Sequence, residues 1–351
     1  MKRLLSVMLM VAVFMTAFAS CAQNADKTEE KKRFTETFID YFDTVSTIVG
    51  FADSQEEFDA VSDEIEALLK EYHELYDIYN TYSGVNNICT INKKAGDEAV
   101  AVDPKIIQLL DYSKEIFDKT NGYTDITRGA LFKLWHDARD TASFNPENAY
   151  IPSEDKIESA MEKNGFDKII IDREKSTVFI TEKGIRLDVG AIAKGYATEE
   201  IARYLEAKGI SGYALNFGGN IRVIGDKPDG EKWTASIANP DNQGESLMTI
   251  EIHKKAVVTS GSYQRYFELD GERYHHIINP FTGYPENDFT SVTIVSTNSA
   301  VADAFSTALF SMTIEMGKTI VNNAPELEAV WVTADGEIIY SNGFKDYIIE
   351  E

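Results

Sequence analysis

The sequence predicts an α+β fold. Strand-like runs dominate from Asp188 onward, many of them at the spacing of hairpins, and only two helical stretches interrupt them, at Ala191 to Lys208 and Ser299 to Phe310. This mixture differs from the regular alternation of strand and helix that a doubly wound parallel sheet requires. A chain of 351 residues with 43% hydrophobic residues is sufficient for one large or two modest domains with a substantial core.

The N-terminus has the composition of a processing segment. Lys2 and Arg3 precede an almost wholly apolar run from Leu4 to Phe18, and two small residues then lead into Cys21. A basic start, an apolar run and small residues before a cleavage point describe a secretory signal. A cysteine directly after the small residues favours a bacterial lipobox, in which the thiol carries lipid. A plain signal peptide cut nearby, with Cys21 incidental, is the alternative.

The lipobox interpretation divides the chain into three parts. We expect a lipoprotein signal peptide at 1–20, a flexible polar tether at 21–33 and a folded domain at 34–351. Lipid on Cys21 would hold the protein in the cell envelope, at the outer face of the cytoplasmic membrane. The only other cysteine is then Cys89, so no internal disulfide can form. The apolar run around Cys89 predicts a strand with a buried, inert thiol.

The net charge of −24 argues against one broad class of partner. Binding to a phosphate backbone requires a basic surface, so nucleic acid is not expected. The charge does not exclude nucleotides, because backbone N–H groups and a metal ion can hold their phosphates. Beyond the signal, no stretch is apolar and long enough to span a bilayer.

Hydrophobic periodicity and turn residues predict the remaining elements in order. The first half predicts strands within 34–50, helices at 53–78 and 104–119, a loop at 140–152, a short helix from Ser153 to about Asn164, and a hairpin of 168–172 with 177–180. The second half predicts strands at 213–217, 220–225, 233–238, 247–252, 255–259, 273–279, 289–295, 328–333 and 337–341.

Two glycine-bearing segments could approach a ligand. A strand is predicted to end at Asp188, Gly190 permits a tight turn, and the following helix would offer free N–H groups to an anion, with Lys194 in reach of a phosphate. A plain strand–turn–helix with a surface lysine explains this pattern equally well. Gly218 and Gly219 permit positive φ and a close backbone approach, although a hairpin turn alone also explains them.

Adjacent histidines precede a stiff loop. His275 and His276 lie on a predicted strand and so point to opposite faces, which makes joint ligation of one metal difficult. One of them could face a cleft as a general base while the other packs or is exposed. The loop 279–285, with its Pro and Gly residues, is the kind of segment that often carries a site. Two structural histidines before a turn are the alternative.

Asp303 and Thr307 are four residues apart on the last predicted helix and therefore share one face. A carboxylate and a hydroxyl there suit Mg²⁺, a hard cation that takes oxygen ligands and shares its shell with phosphates. The small residues around them would let another segment pack closely. The alternative is an acidic residue favoured by the helix dipole, with Thr307 bonded to the backbone.

Together, these segments resemble the ApbE family of FAD:protein FMN transferases. The matches run in order from about Phe38 to the C-terminus and are specific as a set. They are Asp-Val-Gly-Ala-Ile-Ala-Lys-Gly-Tyr-Ala at 188–197, Gly-Gly-Asn at 218–220, Thr-Ser-Gly at 259–261, Tyr-Gln-Arg-Tyr-Phe at 263–267, His-Ile-Ile-Asn-Pro-Phe-Thr-Gly at 276–283, and Ala-Asp-Ala-Phe-Ser-Thr-Ala at 302–308. The resemblance implies a T-fold-like, two-subdomain architecture with mixed or antiparallel sheets and inserted helices.

The resemblance also implies roles for individual residues. Asp303, Thr307 and the backbone carbonyl of Ala191 would bind Mg²⁺, and His276 would be the catalytic base. The FAD contacts that it implies are Phe42, Tyr82, Tyr123, Thr124, Asp125, Asp188, Lys194 and Ile277.

The reaction implied is transfer of FMN from FAD to a Ser or Thr hydroxyl of an acceptor protein, with release of AMP. The family's acceptors are flavin-bearing subunits of envelope redox complexes of the Rnf and Nqr types, and a lipid anchor would put the enzyme on the same membrane face. Two alternatives keep part of this site. One is a Mg²⁺-dependent FAD pyrophosphatase that yields FMN and AMP, and the other is a flavin-binding lipoprotein without turnover.

The sequence departs from the family pattern at three places. Asn279 stands where the family has Asp before proline, Phe42-Asp43 where it has Met-Gly, and Ile126-Thr127 where it often has Pro-Thr-Val. These changes bear on the FAD contacts rather than on the metal site.

Overall fold

The computed structural model describes residues 31–242 and 244–349. The predicted signal peptide, Cys21 and nearly all of the predicted tether lie outside these ranges. The first strand begins at Lys32, two residues before the expected start of the domain at Phe34. Within the described ranges, no helix combines the length and the apolar character that crossing a membrane requires.

Helices and strands are interspersed along the chain. The α-helices are α1 (Gln55–Tyr76), α2 (Ile88–Lys93), α3 (Pro104–Lys119), α4 (Gly129–Phe144), α5 (Glu154–Met161), α6 (Ala193–Ala207), α7 (Ser299–Phe310) and α8 (Ile314–Asn322). The strands are β1 (Lys32–Tyr41), β2 (Thr44–Ala52), β3 (Val100–Ala101), β4 (Ile169–Asp172), β5 (Thr177–Ile180), β6 (Tyr213–Phe217), β7 (Asn220–Ile224), β8 (Trp233–Ala238), β9 (Ser246–Ile252), β10 (Ala256–Gly261), β11 (Tyr266–Leu269), β12 (Glu272–His275), β13 (Phe289–Ser296), β14 (Leu327–Thr333) and β15 (Ile338–Tyr340).

An eight-stranded sheet in the order β1-β2-β6-β7-β10-β13-β14-β15 forms the centre of the molecule. Its neighbouring strands all pair antiparallel. Successive side chains of a strand point to opposite faces. On β10, Ala256 and Val258 join the core beneath α1, α6 and α7, whereas Val257 joins a second core beneath the hairpin β8–β9. The sheet thus lies between a helical layer and a β-hairpin, which confirms the predicted α+β class.

A smaller unit is built from the chain between α1 and α6. It contains the three-stranded sheet β3-β5-β4, with α2 packed against β5. Helices α4 and α5 pack with the hairpin β11–β12 around Leu131, Trp135, Ile157 and Phe267. Helix α4 and the segment after α3 form one wall of a cleft, and the helical layer on the central sheet forms the other.

Helix α4 occupies a stretch for which the sequence predicts no helix, and its last residues fall in the predicted loop 140–152. Its buried residues Leu131, Trp135 and Ala138 recur at helical spacing, but the side chain of Arg128 makes no capping hydrogen bond at its start. Because the helix has no local start signal, packing against α5 and β11–β12 determines it.

The strand predicted around Cys89 is wrong, because this run forms α2. The side chain of Asn87 accepts a hydrogen bond from the backbone N–H of Thr90 and so caps a helix. This cap and tertiary burial override the β propensity of the isoleucine and threonine side chains. The Cys89 thiol is buried and free, in agreement with the prediction for the thiol itself.

Candidate active site

A cleft of about 520 Å³ lies where the N-terminal end of α6 meets α7. Nearly every residue that the sequence analysis assigns to a site lines it. They are Phe42, Tyr123, Thr124, Asp125, Asp188, Ala191, Lys194, His276, Ile277, Asp303 and Thr307. These residues come from distant parts of the chain, so the fold brings the separate motifs into one site.

Asp303 lies at the base of the cleft on α7. Its Oδ2 accepts a hydrogen bond from the backbone N–H of Gly195 over 2.7 Å. A Cβ at position 195 would lie 2.3 Å from the Cβ of Asp303, so the two helices approach closely only because residue 195 is glycine. Burial raises the pKa of Asp303, while Lys194, the Gly195 N–H and Asn220 act in the opposite direction. A cation beside this buried carboxylate would stabilise its charged form.

Oxygen atoms around Asp303 are available for a hard cation. Because the N–H of Gly195 points to Asp303, none of the hydrogen bonds among the described residues ends on the carbonyl oxygen of Ala191. The side chain of Asn220, beside the carboxylate, is buried and makes no hydrogen bond of good geometry. Carboxylate, carbonyl and hydroxyl oxygens are the donors that Mg²⁺ prefers. The residues present therefore fit this ion.

Thr307 lies one turn beyond Asp303 and faces the same cleft. Its Oγ1 is 3.4 Å from Oγ of Ser260 at the end of β10, and that same Ser260 oxygen is 2.8 Å from Oγ of Ser306. No three His, Cys, Asp or Glu side chains in the described ranges are grouped as a metal-ligand set. Phosphate oxygens of a bound substrate are further ligands that a hard cation at Asp303 would accept.

The turn before α6 differs in detail from the prediction. Asp188 does not end a strand; its backbone N–H donates to the carbonyl of Ile126, and its Oδ1 accepts from the N–H of Gly190 at 3.0 Å. The helix then begins at Ala193, so Lys194 is in its first turn and lines the cleft. The Asp188 side chain thus shapes the turn that presents Lys194.

The two histidines have different environments. Strand β12 ends at His275, whose Nδ1 accepts from the N–H of Ile277 at 3.2 Å and whose Nε2 is hydrogen-bonded to the carbonyl of Glu286. His276 lines the cleft. Its Nδ1 is buried without a hydrogen bond, so neither protein donor nor acceptor among the described residues satisfies this ring nitrogen. The structure therefore decides between them: His275 fixes the loop, and His276 faces the site.

Burial and positive neighbours lower the pKa of His276 well below 6.5. Burial is the largest cause, followed by the charges of Arg265, His275, Arg139 and Lys194. The imidazole is therefore neutral at pH 7 and can accept a proton. Burial also lowers the pKa of His275 to about 4, which keeps its ring neutral in the hydrogen bonds that it makes.

Two arginines in the cleft are absent from the sequence prediction. Arg139 on α4 and Arg265 both line the cleft, and none of the ion pairs among the described residues includes either of them. Burial and then Arg265 lower the pKa of Arg139. Two guanidinium groups in one cleft of a protein of net charge −24 indicate an anion site. A prediction of α4 as a helix from the sequence would have been needed to identify Arg139 as a site residue.

Tyr82, a predicted FAD contact, is not among the residues that line the cleft. Its hydroxyl donates to Oδ2 of Asp77 at 2.7 Å and lies 3.0 Å from Nε2 of His73. Tyr79, three residues earlier, does line the cleft, and its hydroxyl is 3.0 Å from Nδ1 of His136 on α4. Tyr82 therefore supports cleft residues from behind.

The segment after α3 gives the cleft an aromatic edge. Tyr123 packs edge-on against Phe281, with the ring centroids 4.8 Å apart. The hydroxyl of Thr124 donates to the carbonyl of Ala304 at 2.9 Å, and Oδ1 of Asp125 accepts from the N–H of Thr127 at 2.9 Å. The polar side chains of this segment thus tie it to α7 and to its own turn, while Tyr123 remains half-buried at the opening.

Phe42 lies in the tight turn between β1 and β2. Its backbone N–H donates to Nδ1 of His73 at 3.1 Å, and both Phe42 and Asp43 have φ of 52°. The carbonyl of Asp43 accepts from Arg265 over 3.4 Å. The turn thus joins the cleft wall at the position where the family pattern has Met-Gly.

Comparison with known proteins agrees with this geometry. A FAD:protein FMN transferase of Klebsiella pneumoniae is 31% identical over 286 residues, which cover 81% of this chain and 85% of the relative. One of Treponema pallidum is 31% identical over 276 residues, or 74% of each chain. The crystal structure of the ApbE protein from Thermotoga maritima is 30% identical, has a TM-score of 0.79, and the match covers 91% of this chain and 100% of that one.

The family model for ApbE proteins matches residues 42–331, which include every segment that lines the cleft except Asp40. The fold, the order of the motifs and their convergence around Asp303 and His276 agree with that match. This chain belongs to the ApbE family.

Proposed function

We propose that this chain transfers the FMN half of FAD to a Ser or Thr hydroxyl of an acceptor protein and releases AMP. The observation that carries the proposal is the convergence of a buried carboxylate, a lysine and an unprotonated histidine in one cleft, at Asp303, Lys194 and His276. The transferase names of relatives that cover most of the chain support it.

The chain's own cations would hold the diphosphate of FAD. Lys194 is in the first turn of α6, and Arg139 and Arg265 face the same cleft. Three fixed positive charges in a partly dry cleft bind and orient phosphate oxygens and favour the charge that develops on them. Mg²⁺ held by Asp303, Thr307 and the Ala191 carbonyl would neutralise further negative charge on the diphosphate.

His276 would take the proton from the acceptor hydroxyl. The residue lines the cleft, and its lowered pKa leaves the imidazole unprotonated at pH 7. The freed oxygen forms a bond to the phosphorus of the FMN half. The bond from that phosphorus to the bridging oxygen breaks, and AMP leaves with the electron pair. The products are a phosphoester-linked flavin on the acceptor and free AMP.

The acceptor and the location belong to the same proposal. Flavin-bearing subunits of Rnf- or Nqr-type redox complexes would present the hydroxyl on the outer face of the cytoplasmic membrane. Lipid on Cys21 would hold the enzyme on that face, in reach of such subunits. Labelling cells with a fatty-acid analogue, with Cys21→Ala as the control, tests the anchor directly.

The decisive experiment is an acceptor-flavinylation assay. The enzyme is incubated with FAD, with or without Mg²⁺, and with an acceptor domain or the same domain with its Ser or Thr changed to Ala. Flavin fluorescence on a denaturing gel, together with AMP detected by chromatography, is expected only with Mg²⁺ and the intact hydroxyl. Free FMN without labelled protein would identify a pyrophosphatase instead, and bound FAD without any product would identify a flavin-binding protein.

A further inference from the structure

A second polar cluster lies one helical turn from Asp303, where α6, α7 and β7 meet. It is built from a carboxylate, a backbone N–H and a guanidinium that belong to Glu199, Ser299 and Arg222. The side chains of Glu199 and Arg222 are only 6% and 5% exposed. A buried ion pair of this kind is uncommon unless it has further hydrogen bonds.

One oxygen of Glu199 makes both of the central contacts. Its Oε2 accepts from the backbone N–H of Ser299 at 2.8 Å and from Nε of Arg222 at 3.1 Å. Arg222 also donates from Nη2 to Glu206 at 3.0 Å, toward the surface. Arg203 donates from Nε to the other oxygen of Glu199 at 3.3 Å. The buried charge of Glu199 is thus compensated from three directions, one of which is the start of α7.

The contact with Ser299 supplies what a helix start lacks. The first N–H groups of an α-helix have no acceptor within the helix. The side chain of Asn298 accepts from the N–H of Val301, and Glu199 accepts from that of Ser299. A negative charge at this end is also favoured by the helix dipole. Glu199 on α6 therefore caps α7 from a neighbouring helix.

The Glu199–Ser299 contact and the Gly195–Asp303 contact have the same spacing along the two helices. Gly195 and Glu199 are four residues apart on α6, and they contact Asp303 and Ser299, which are four residues apart on α7. The two helices therefore meet in two layers, one turn apart and in opposite chain directions. On β7, Asn220 and Arg222 are two residues apart and therefore lie on the same face of the strand. Asn220 is beside Asp303 in one layer, and Arg222 binds Glu199 in the other. A slide of α7 along α6 would break both contacts.

We propose that Glu199, held by Arg222, is a positioning residue that fixes the register of α7 on α6 and thereby sets the place of Asp303 in the cleft. Glu199 is not among the residues that line the cleft, and it acts through α7. The inference rests on the proposed function only where activity is measured, because the register of α7 is a property of the protein alone.

Two pairs of variants test the proposal against a general loss of stability. Glu199→Ala removes the cap, and Glu206→Ala removes the other carboxylate that binds Arg222 without touching α7. Glu199→Gln keeps an oxygen at the same reach but loses the charge, whereas Glu199→Asp keeps the charge but shortens the reach by one methylene. If the position of the acceptor oxygen matters, Glu199→Gln keeps α7 closer to its wild-type protection than Glu199→Asp does. If only the buried charge matters, the order of the two variants is reversed.

The first readout is amide hydrogen exchange of residues 299–303 in the full chain without ligands. We expect Glu199→Ala and Glu199→Asp to exchange there about ten- to a hundredfold faster, the range for one lost hydrogen bond to a charged group. In Glu199→Gln and Glu206→Ala, the exchange rates of these residues should stay within about threefold of the wild-type rates. If Glu199→Ala does not fold, the comparison of Gln with Asp decides the question.

The second readout is binding of Mn²⁺, as a paramagnetic probe of the cation site, in the presence of FAD by electron paramagnetic resonance. Weaker Mn²⁺ binding and lower kcat in Glu199→Asp, with Glu199→Gln close to the wild type, are expected. Equal losses in Glu206→Ala, or unchanged exchange of 299–303 in Glu199→Asp, would overturn the proposal. A wild-type protein that shows no FMN transfer would refute the proposed function and leave the exchange result intact.

Discussion

The backbone N–H of Gly195 donates to Oδ2 of Asp303 over 2.7 Å, so the start of α6 and the middle of α7 are joined at the carboxylate. This contact exists because residue 195 lacks a side chain. A Cβ there would lie 2.3 Å from the Cβ of Asp303 and 2.6 Å from the carbonyl oxygen of Ser299. The close approach also leaves the Ala191 carbonyl free for a cation.

Gly195→Ala should therefore reduce both stability and activity. The added methyl group forces α6 and α7 apart, and overpacking of this kind typically lowers the free energy of unfolding by about 1–3 kcal/mol. Gly244→Ala is the matched control, because a Cβ there meets only Oδ1 of Asn242 at 3.7 Å. Urea unfolding and the flavinylation rate measure the two effects. A Gly195→Ala protein as stable and active as Gly244→Ala would contradict the close contact.

Asp303→Asn should abolish transfer yet stabilise the ligand-free protein. Burial raises the pKa of Asp303, so the folded state holds this proton more tightly than the unfolded state does. The resulting destabilisation is absent below the ordinary carboxyl pKa and grows as pH rises above it. Asparagine keeps an oxygen for the Gly195 N–H without the charge.

The measurement is Tm by calorimetry without metal or FAD, at pH 5 and pH 8. The gain of Asp303→Asn over the wild type should be larger at pH 8. Transfer should fall at least about a hundredfold, as for other losses of a central electrostatic group. A lower Tm at pH 8 than that of the wild type would contradict the destabilisation by the buried charge. Full transfer would contradict the role of the carboxylate in the reaction.

His276→Gln should bind FAD but transfer FMN about 10²–10⁴-fold more slowly, the usual contribution of a general base. Because burial and the nearby arginines hold the pKa of His276 well below 6.5, the wild-type rate should not fall between pH 8 and pH 6 through protonation of this ring. Single-turnover rates from pH 5 to pH 9 measure this. A rate that halves near pH 6.5 would identify a different base or an ordinary histidine pKa.

Arg139→Gln and Arg265→Gln should each weaken FAD binding. Loss of a hydrogen bond to a charged group corresponds to about a ten- to hundredfold change in affinity. Each change also removes a positive charge that lowers the pKa of His276, so that pKa should rise toward its ordinary value. Arg173→Gln is the control, because Arg173 is exposed and paired with Asp111 away from the cleft. Fluorescence titration with FAD distinguishes the three, and equal affinities would rule out an anion site.

Asp43→Gly should stabilise the protein. Asp43 has φ of 52°, a conformation that glycine adopts freely and other residues adopt at a penalty of about 1 kcal/mol. The carbonyl that accepts from Arg265 is part of the backbone and is retained. Urea unfolding should show the gain. Gly218→Ala, at φ of 60° and with Thr44 in the way, should have the opposite effect.

Several elements could be read from the sequence because their causes are local. Helix α1 follows Ser54, which caps it, and α3 follows the Asp103-Pro104 pair, of which Asp103 caps the backbone N–H of Lys105. The hairpins follow from turn residues between strand-like runs, as at Gly218 and Gly219. Such signals act within a few residues, so the sequence contains both the element and its cause.

The order of the motifs, and the shared face of Asp303 and Thr307 on one helix, were likewise determined by the sequence alone. What only the tertiary structure decided is what meets across the chain: Gly195 against Asp303, and Tyr79 in the cleft beside His136, with Tyr82 bonded to Asp77. Helix α4, which brings Arg139, belongs with these. Their partners lie tens to more than a hundred residues away, and packing between segments, rather than any local preference, sets those distances.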